Sequence, residues 1–211
     1  MTQAPLATPA TAFWAAPRRD SRSRRPRSTA SSLAAAIAAA CRGEEAPEQR
    51  ARSAEGLLRS ALRAGMWLPS SVLETDPSRY RSRTLHVDHE SGITIRVLAW
   101  RRAQRTPIHD HVAWCVIGVY AGSERELRYS AVDVRGGTRL RVVADHKVRA
   151  GETAVLLPPD DIHEVSCLTE NAVSIHIYGQ ALEAETPSMR QSYERSAVAS
   201  PALPVIRPSH V

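Results

Sequence analysis

The sequence predicts a mainly β fold, a sandwich or barrel of short strands, with an α-helical layer before it. Between residues 93 and 178, six segments rich in β-branched and apolar residues follow one another, with glycines among them and no helical pattern. Their predicted ranges are 93–100, 112–120, 126–132, 139–145, 153–158 and 172–178. Residues 31–68, in contrast, repeat their apolar residues at helical spacing.

Length and composition place these elements in one domain. The chain has 211 residues, of which 43% are hydrophobic, and this is enough for a single packed core. We predict a domain over residues 31–185 and a C-terminal extension over residues 186–211, where the chain becomes polar and then proline-rich. No apolar run reaches the roughly 18–20 residues that a membrane-spanning helix needs. Three widely spaced cysteines argue against a disulfide framework, so we expect a cytoplasmic protein.

The formal net charge of +6 is concentrated near the N-terminus. Residues 1–30 carry six arginines and one aspartate, so the rest of the chain is nearly neutral. We therefore predict a disordered tail rich in Arg, Pro and Ser, and no nucleic-acid partner for the folded part. Two alternatives stay open for the tail. Arg18 and Arg19 precede an apolar stretch at 33–41, as in a targeting segment, and the arginines could also form a nucleic-acid or membrane-surface arm.

Two helices are predicted at the start of the domain. The first is expected to begin at Ser31 or Ser32, because a serine side chain can cap the first turn. The second runs from about Glu48 to Ala64, and Gly65 provides its C-terminal cap.

The histidines of Pro107-Ile108-His109-Asp110-His111 form the first candidate site. In a strand, residues i and i+2 point to the same face, so both imidazoles can converge on one metal ion while Asp110 faces away. Two surface histidines are the alternative, because this short pattern is weak on its own.

A third histidine follows the segment GETAVLLPPDDIH at residues 151–163, in which a glycine turn, a buried strand and a proline-aspartate turn lead to His163. This segment resembles the second cupin motif, and HDHVAWCVIGVYAG at 109–122 resembles the first. Cupins generally have a glutamate ligand where this chain has Cys115. The resemblance implies a cupin barrel, also called a jelly roll or double-stranded β-helix, with a metal ion bound by three histidines, His109, His111 and His163.

The segment Ser174-Ile175-His176-Ile177-Tyr178 carries the third signal. Strand alternation places Ser174, His176 and Tyr178 on one face, where they can form a hydrogen-bonded row that fixes the imidazole tautomer. An ordinary amphipathic edge strand is the alternative.

Taken together, HDH at 109–111, His163 and SIHIY at 174–178 resemble the thiol dioxygenase branch of the cupins, the family of cysteine dioxygenase and bacterial 3-mercaptopropionate dioxygenase. The resemblance covers roughly residues 31–185. It implies one Fe(II) ion per chain, bound by the three histidines, and a reaction that adds both atoms of O2 to a thiol sulfur to give a sulfinate. It also implies that Tyr178 lies over the substrate, with His176 and Ser174 behind it.

The resemblance raises the hypothesis of a thioether crosslink between Cys115 and Tyr178. Animal cysteine dioxygenases form such a bond between the tyrosine and a cysteine on the strand after the HxH pair. A buried apolar thiol is the alternative for Cys115.

The resemblance further implies an arginine that binds the substrate carboxylate. Cysteine dioxygenases have it two residues after a tyrosine early in the barrel, where this chain has Ser82 after Tyr80. A shift of one residue makes Arg81 or Arg83 a candidate. Arg190 is the third, because mercaptopropionate-type enzymes use an arginine downstream of the active-site tyrosine. A guanidinium can bind a carboxylate through two hydrogen bonds, and a solvated charge is the alternative for each.

The sequence thus predicts an iron-dependent thiol dioxygenase whose partners are a small thiol and O2. The expected substrate is 3-mercaptopropionate or a close thiol carboxylate, with cysteine as the second choice. A non-catalytic cupin that binds a metal or a small ligand is the alternative from another class. The sequence leaves the oligomeric state open.

Overall fold

The computed structural model describes residues 29–43, 46–134 and 137–198. Of the tail predicted over residues 1–30, only Thr29 and Ala30 are among them, so its predicted disorder and the two alternatives lie outside the described residues. The same holds for residues 199–211 of the predicted extension. Within the described part of the chain, no helix is both long and apolar enough to cross a membrane.

Three helices come first: α1 (Ala30–Arg42), α2 (Pro47–Arg63) and α3 (Ser70–Leu73). The predicted cap of α1 at Ser31 or Ser32 is wrong, because Thr29 caps the helix and Ser32 completes a capping box with it. The second helix matches its predicted range to within one residue at each end. The chain leaves it through Gly65, whose φ of +70° is a conformation that glycine adopts without strain.

In the described part of the chain, ten strands follow and pair into two antiparallel sheets of five. They are β1 (Arg81–Asp88), β2 (Ile93–Arg101), β3 (Ile108–His111), β4 (Cys115–Ala121), β5 (Ser123–Val134), β6 (Gly137–Arg149), β7 (Thr153–Leu156), β8 (His163–Cys167), β9 (Asn171–Tyr178) and β10 (Met189–Tyr193). The first sheet has the order β1-β2-β9-β4-β7, and the second has the order β10-β3-β8-β5-β6. The predicted mainly β fold with an N-terminal helical layer is confirmed.

The described strands differ from the six predicted ranges in their bounds and in their number. The strand predicted over 112–120 begins only at Cys115. Residues 112–114 form the connection from β3 to β4. The six ranges also leave out the edge strands β1 and β10, which have polar sequences, and the short interior strands β3 and β8 of the second sheet. Strand β10 falls inside the predicted C-terminal extension and pairs with β3.

The first sheet is covered on both faces. Its outer face packs on α1 and α2 in one apolar cluster, to which β2 and β9 contribute alternate residues such as Ile95, Val97 and Ile175. Gly118 of β4 lies directly under α2, where a Cβ atom would overlap Leu58, so the helix can approach the strand closely. The inner face packs against the second sheet, and the candidate site lies between the two sheets.

Candidate metal and substrate site

Three histidines from neighbouring strands of the second sheet meet at one point. His109 and His111 lie on β3, and His163 lies on β8 directly opposite His109. Each offers a ring nitrogen, and these atoms lie within 4.8 Å of one another in buried surroundings. Asp110 faces away and accepts hydrogen bonds from Arg190 at 2.7 Å and from Tyr193 at 2.9 Å.

The outer nitrogen of each imidazole faces an oxygen acceptor. His109 Nδ1 donates to the carbonyl of Pro107 at 3.0 Å, and His111 Nδ1 to Asp161 at 3.2 Å. His163 Nδ1 donates to Glu126 at 3.1 Å. Because these oxygens can only accept, each Nδ1 carries the ring proton, and each Nε2 keeps its lone pair for a metal ion.

The spacing of the Nε2 atoms, which face one another, fits a shared cation. His109 Nε2 and His163 Nε2 lie 3.3 Å apart with no proton between them. Two nitrogens that each lie about 2.1 Å from one ion, at an angle of about 90–109°, are about 3.0–3.4 Å apart. Burial also holds the pKa of both rings well below its usual value, so the imidazoles stay neutral and able to bind metal. Imidazole ligands suit iron, zinc, copper and nickel alike.

Two acidic residues that orient the histidines were missed by the sequence analysis. Asp161 belongs to the proline-aspartate turn before His163, and it accepts hydrogen bonds from both the backbone N–H and the ring of His111. Burial acts to raise the pKa of Asp161, but these hydrogen bonds outweigh it and the pKa is lowered. Glu126 comes from β5, and Arg128 Nε donates to it at 3.1 Å.

Strand β9 brings Ser174, His176 and Tyr178 to the inner face of the first sheet. The Ser174 hydroxyl lies 2.9 Å from His176 Nε2, and the Tyr178 hydroxyl lies 3.5 Å from His176 Nδ1. Trp100 of β2, which the sequence analysis did not single out, donates its indole N–H to Ser174 at 3.2 Å. Ser174, His176 and Tyr178 therefore form a buried row of side chains connected by hydrogen bonds.

Burial keeps this row uncharged. It lowers the pKa of His176 to about 3 and raises the pKa of Tyr178, so the imidazole is neutral and the phenol keeps its proton. A protonated phenol can donate a hydrogen bond to a ligand beside it.

Cys115 of β4 lies directly opposite Tyr178 of β9 in the first sheet. Burial raises the pKa of the Cys115 thiol well above its usual value, which keeps it protonated. The next residue pair fixes this register, because the Gly179 N–H donates to the Trp114 carbonyl at 2.9 Å and a Cβ atom at Gly179 would overlap the Trp114 ring.

A small cavity of about 110 Å³ opens at the site. His109, His163, His176 and Tyr178 line it together with Arg96 of β2, a buried arginine that the sequence analysis missed. Ligand pockets for drug-sized molecules are typically about 300–1,000 Å³, so this cavity suits a molecule of only a few heavy atoms.

The three arginines predicted to bind substrate lie outside the cavity lining. Arg81 and Arg83 are near Glu74, at 3.8 and 3.4 Å. Arg190 pairs with Asp110 at 2.7 Å. Each guanidinium thus has an acidic partner from its own surroundings.

Comparison with known proteins gives a family match and several solved structures. The family described as cysteine dioxygenase type I matches residues 63–186, which is more than half of the chain. A cupin 2 conserved barrel domain protein from Leptotrichia buccalis is 20% identical with a TM-score of 0.40, and the match covers 53% of this chain and 46% of that one. An RmlC-like cupin from Desulfovibrio desulfuricans is 18% identical with a TM-score of 0.39, covering 51% and 89%. A protein with a double-stranded β-helix domain from Klebsiella pneumoniae is 12% identical with a TM-score of 0.43, covering 55% and 86%.

Proposed function

We propose that this chain, which belongs to the cysteine dioxygenase type I family, is a non-haem iron(II) thiol dioxygenase that converts a small thiol carboxylate of the 3-mercaptopropionate kind to its sulfinate. The family and the two antiparallel sheets also confirm the predicted cupin fold. The proposal rests on one observation. Three buried imidazoles meet the Ser174–His176–Tyr178 row at a cavity of the right size for a small thiol.

Iron(II), one ion per chain and held by His109, His111 and His163, would supply the redox-active centre at which the thiol and O2 react. Three neutral ligands leave the charge of a divalent ion uncompensated, and this favours an anionic thiolate. In the overall reaction the sulfur gains both oxygen atoms and loses four electrons. These electrons reduce O2, so no external reductant is needed.

The residues of the row hold and orient the reactants. We assign to Tyr178 a hydrogen bond donated into the cavity, because burial raises its pKa and keeps the phenol protonated. His176 orients the phenol through Nδ1, and Ser174 fixes the ring through Nε2. The neutral His176 adds no positive charge beside the metal ligands.

The test is O2 consumption by protein loaded with iron(II) under anaerobic conditions. The thiol panel contains 3-mercaptopropionate, cysteine, cysteamine and mercaptosuccinate. We expect uptake of one O2 per thiol with 3-mercaptopropionate, and a sulfinate product identified by mass spectrometry. His163→Ala should abolish both iron binding and uptake, whereas the exposed His146→Ala should change neither.

The outcome of this panel separates the alternatives. If cysteine is turned over faster than 3-mercaptopropionate, then cysteine is the preferred substrate. Full iron occupancy without O2 uptake for any thiol would contradict the dioxygenase and favour a non-catalytic, metal-binding cupin.

We also propose the thioether between Cys115 and Tyr178, because the two residues lie opposite each other on paired strands. The bond would join Cys115 Sγ to the phenol ring with loss of two hydrogen atoms, and the O2 of the proposed reaction would be the oxidant. Protein incubated with iron, thiol and O2 should then yield crosslinked tryptic peptides about 2 Da lighter than their sum, as the loss of two hydrogens requires. Cys115→Ser should not yield them, and two separate peptides from the wild type would exclude the bond.

We finally propose that the protein works in the cytoplasm, with a small thiol and O2 as its partners. The three cysteines of the described residues are free and buried, which suits a reducing compartment. Cell fractionation tests this location.

A further inference from the structure

Arg96 brings a positive charge to the candidate site from the strand that otherwise builds the apolar core. It is the single charged residue between residues 93 and 100. Its neighbours Ile95 and Val97 pack against the helices, whereas Arg96 is only 7% exposed and lines the same cavity as the metal-site histidines. The guanidinium carbon lies 5.9 Å from the centre of the Tyr178 ring.

This guanidinium is held in place but not neutralised. Its Nη2 donates to the carbonyls of Glu183 at 2.9 Å and Thr186 at 2.7 Å, and both acceptors are uncharged. No carboxylate among the described residues forms an ion pair with Arg96, and its buried Nε has no hydrogen-bond partner. A buried cation without an anion is costly, so this position is suited to a negatively charged ligand.

The other candidate arginines differ from Arg96 in this respect. Arg81, Arg83 and Arg190 each have an acidic neighbour, and Arg190 binds Asp110 through both Nε and Nη2. Their charges already have acidic partners, and none of the three is among the residues that line the cavity. Arg96 combines the opposite properties, an uncompensated charge and a place in the cavity wall.

We propose that Arg96 binds the carboxylate of the thiol substrate, an inference that rests on the proposed function. The two carbonyl contacts fix the guanidinium before the substrate arrives. Binding therefore does not have to order a long, mobile side chain, and the unpaired Nε–H is left as a donor for a carboxylate oxygen.

The same cavity selects against an ammonium group on the substrate. None of the described residues that line it is acidic, so a positively charged amine would find no counter-charge and would face Arg96. We therefore assign to this site a short thiol with a carboxylate and no ammonium group. Among the panel thiols, 3-mercaptopropionate fits this description, whereas cysteine and cysteamine do not.

The experiment compares Arg96→Gln with the wild type on two thiols of equal length. With 3-mercaptopropionate the variant should show a KM about 10- to 150-fold higher, as expected for the loss of hydrogen bonds between charged groups. With 1-propanethiol, which has a methyl group in place of the carboxylate, KM should change less than about threefold, within the range of a minor contact. Arg141→Gln, a change at an exposed arginine of β6, should leave both values unchanged.

Binding provides a readout that does not depend on turnover. Calorimetric titration of iron-loaded protein with 3-mercaptopropionate in the absence of O2 should show the same loss of affinity in Arg96→Gln. Circular dichroism verifies that the variant is folded. Arg96→Met, which keeps an unbranched side chain but removes the charge and every hydrogen-bond donor, replaces the glutamine variant if that one does not fold.

The results separate the two proposals. A folded Arg96 variant that binds 3-mercaptopropionate as tightly as the wild type would overturn the role of Arg96, whatever the activity. A wild type that binds the thiol but consumes no O2 would overturn the dioxygenase, while the binding comparison would still decide on Arg96.

Discussion

The two faces of the first sheet are made by the same strands but bury different kinds of side chain. On β9, the odd-numbered residues 173, 175 and 177 are apolar and pack against the helices. The even-numbered residues 174, 176 and 178 are the polar row of the candidate site. Strand β2 repeats this division, with Val97 on the helix side and Arg96 in the cavity.

The difference between the faces separates stability from chemistry. Burying an apolar side chain stabilises a fold by about 1.5–3 kcal/mol. A buried polar group contributes little net stability, because its hydrogen bonds only replace those it made with water. We infer that the outer face holds the fold together, and that the inner face positions groups which the fold itself does not need. Substitutions at adjacent residues of one strand can test this division.

The largest effect is expected for Tyr178→Phe on the inner face. The phenol donor is lost, so kcat for 3-mercaptopropionate should fall about 10²- to 10⁴-fold, the usual range for a proton-donating group. The free energy of unfolding should change by less than about 1 kcal/mol, because the hydrogen bond to His176 is long. Tyr129→Phe, at a buried tyrosine of the second sheet, is the control and should keep full activity. Unchanged kcat in Tyr178→Phe would remove this residue from the mechanism.

The next residue along the strand should show the reverse pattern. Ile177 is fully buried against the helical layer, so Ile177→Ala should lower the free energy of unfolding by about 2–5 kcal/mol in urea titrations. The folded fraction should retain its kcat. Val142→Ala truncates an exposed residue of β6 and should cost less than about 0.5 kcal/mol. If Ile177→Ala and Val142→Ala lowered the free energy of unfolding equally, the assignment of stability to the outer face would be contradicted.

The third effect appears only as the pH changes, and it concerns a buried acid beside the row. Burial raises the pKa of Glu124 on β5 to about 7, and hydrogen bonding with Ser174 and Trp100 opposes this rise only in part. Between pH 4.5, the usual value for this carboxyl, and pH 7, the folded chain keeps a proton that the unfolded chain releases. The contribution of Glu124 to the free energy of unfolding should therefore fall as pH rises through this range, and the loss should be complete above it.

Glu124→Gln isolates this contribution, because an amide does not titrate. The difference in unfolding free energy between the variant and the wild type should grow in favour of the variant by about 3 kcal/mol from pH 4.5 to 8, at about 1.4 kcal/mol per pKa unit. Glu170→Gln, at an exposed residue, should show no such growth. A flat difference for Glu124→Gln would mean that this carboxyl is already ionised at low pH.

Short-range patterns in the sequence predicted six of the ten described strands, and the resemblance to the cupin motifs supplied the candidate ligand set. The period of two in SIHIY and HDH placed the side chains of each segment on one face without any knowledge of the fold. The two acidic residues that the sequence could not assign to the site are far along the chain from the histidines that they contact. Glu126 lies 37 residues before His163, and Asp161 lies 50 residues after His111. Only the pairing of distant strands brings them together.

Arg96 shows what the sequence could have indicated. A single charged residue in an otherwise uncharged strand that is buried on both faces requires an explanation, and residues 93–100 contain one. The choice of Arg81 and Arg83 followed from their position after Tyr80. Yet β1 is an edge strand, where arginines can reach surface acids such as Glu74 and Asp76. Their distance from Tyr80 along the sequence did not show that these arginines lie at the surface and that Arg96 is buried.

The junction of β3 and β8 has a consequence for how the protein responds to metal. The two strands meet through one ladder pair, His109 opposite His163, and these residues are 54 positions apart in the chain. An ion bound to both strands would close a long loop of the chain. It would bind the folded state and not the unfolded state. By mass action the melting temperature would then rise with the concentration of free metal ion. A series of melting curves would therefore rank the candidate metals by affinity before any catalytic assay is available.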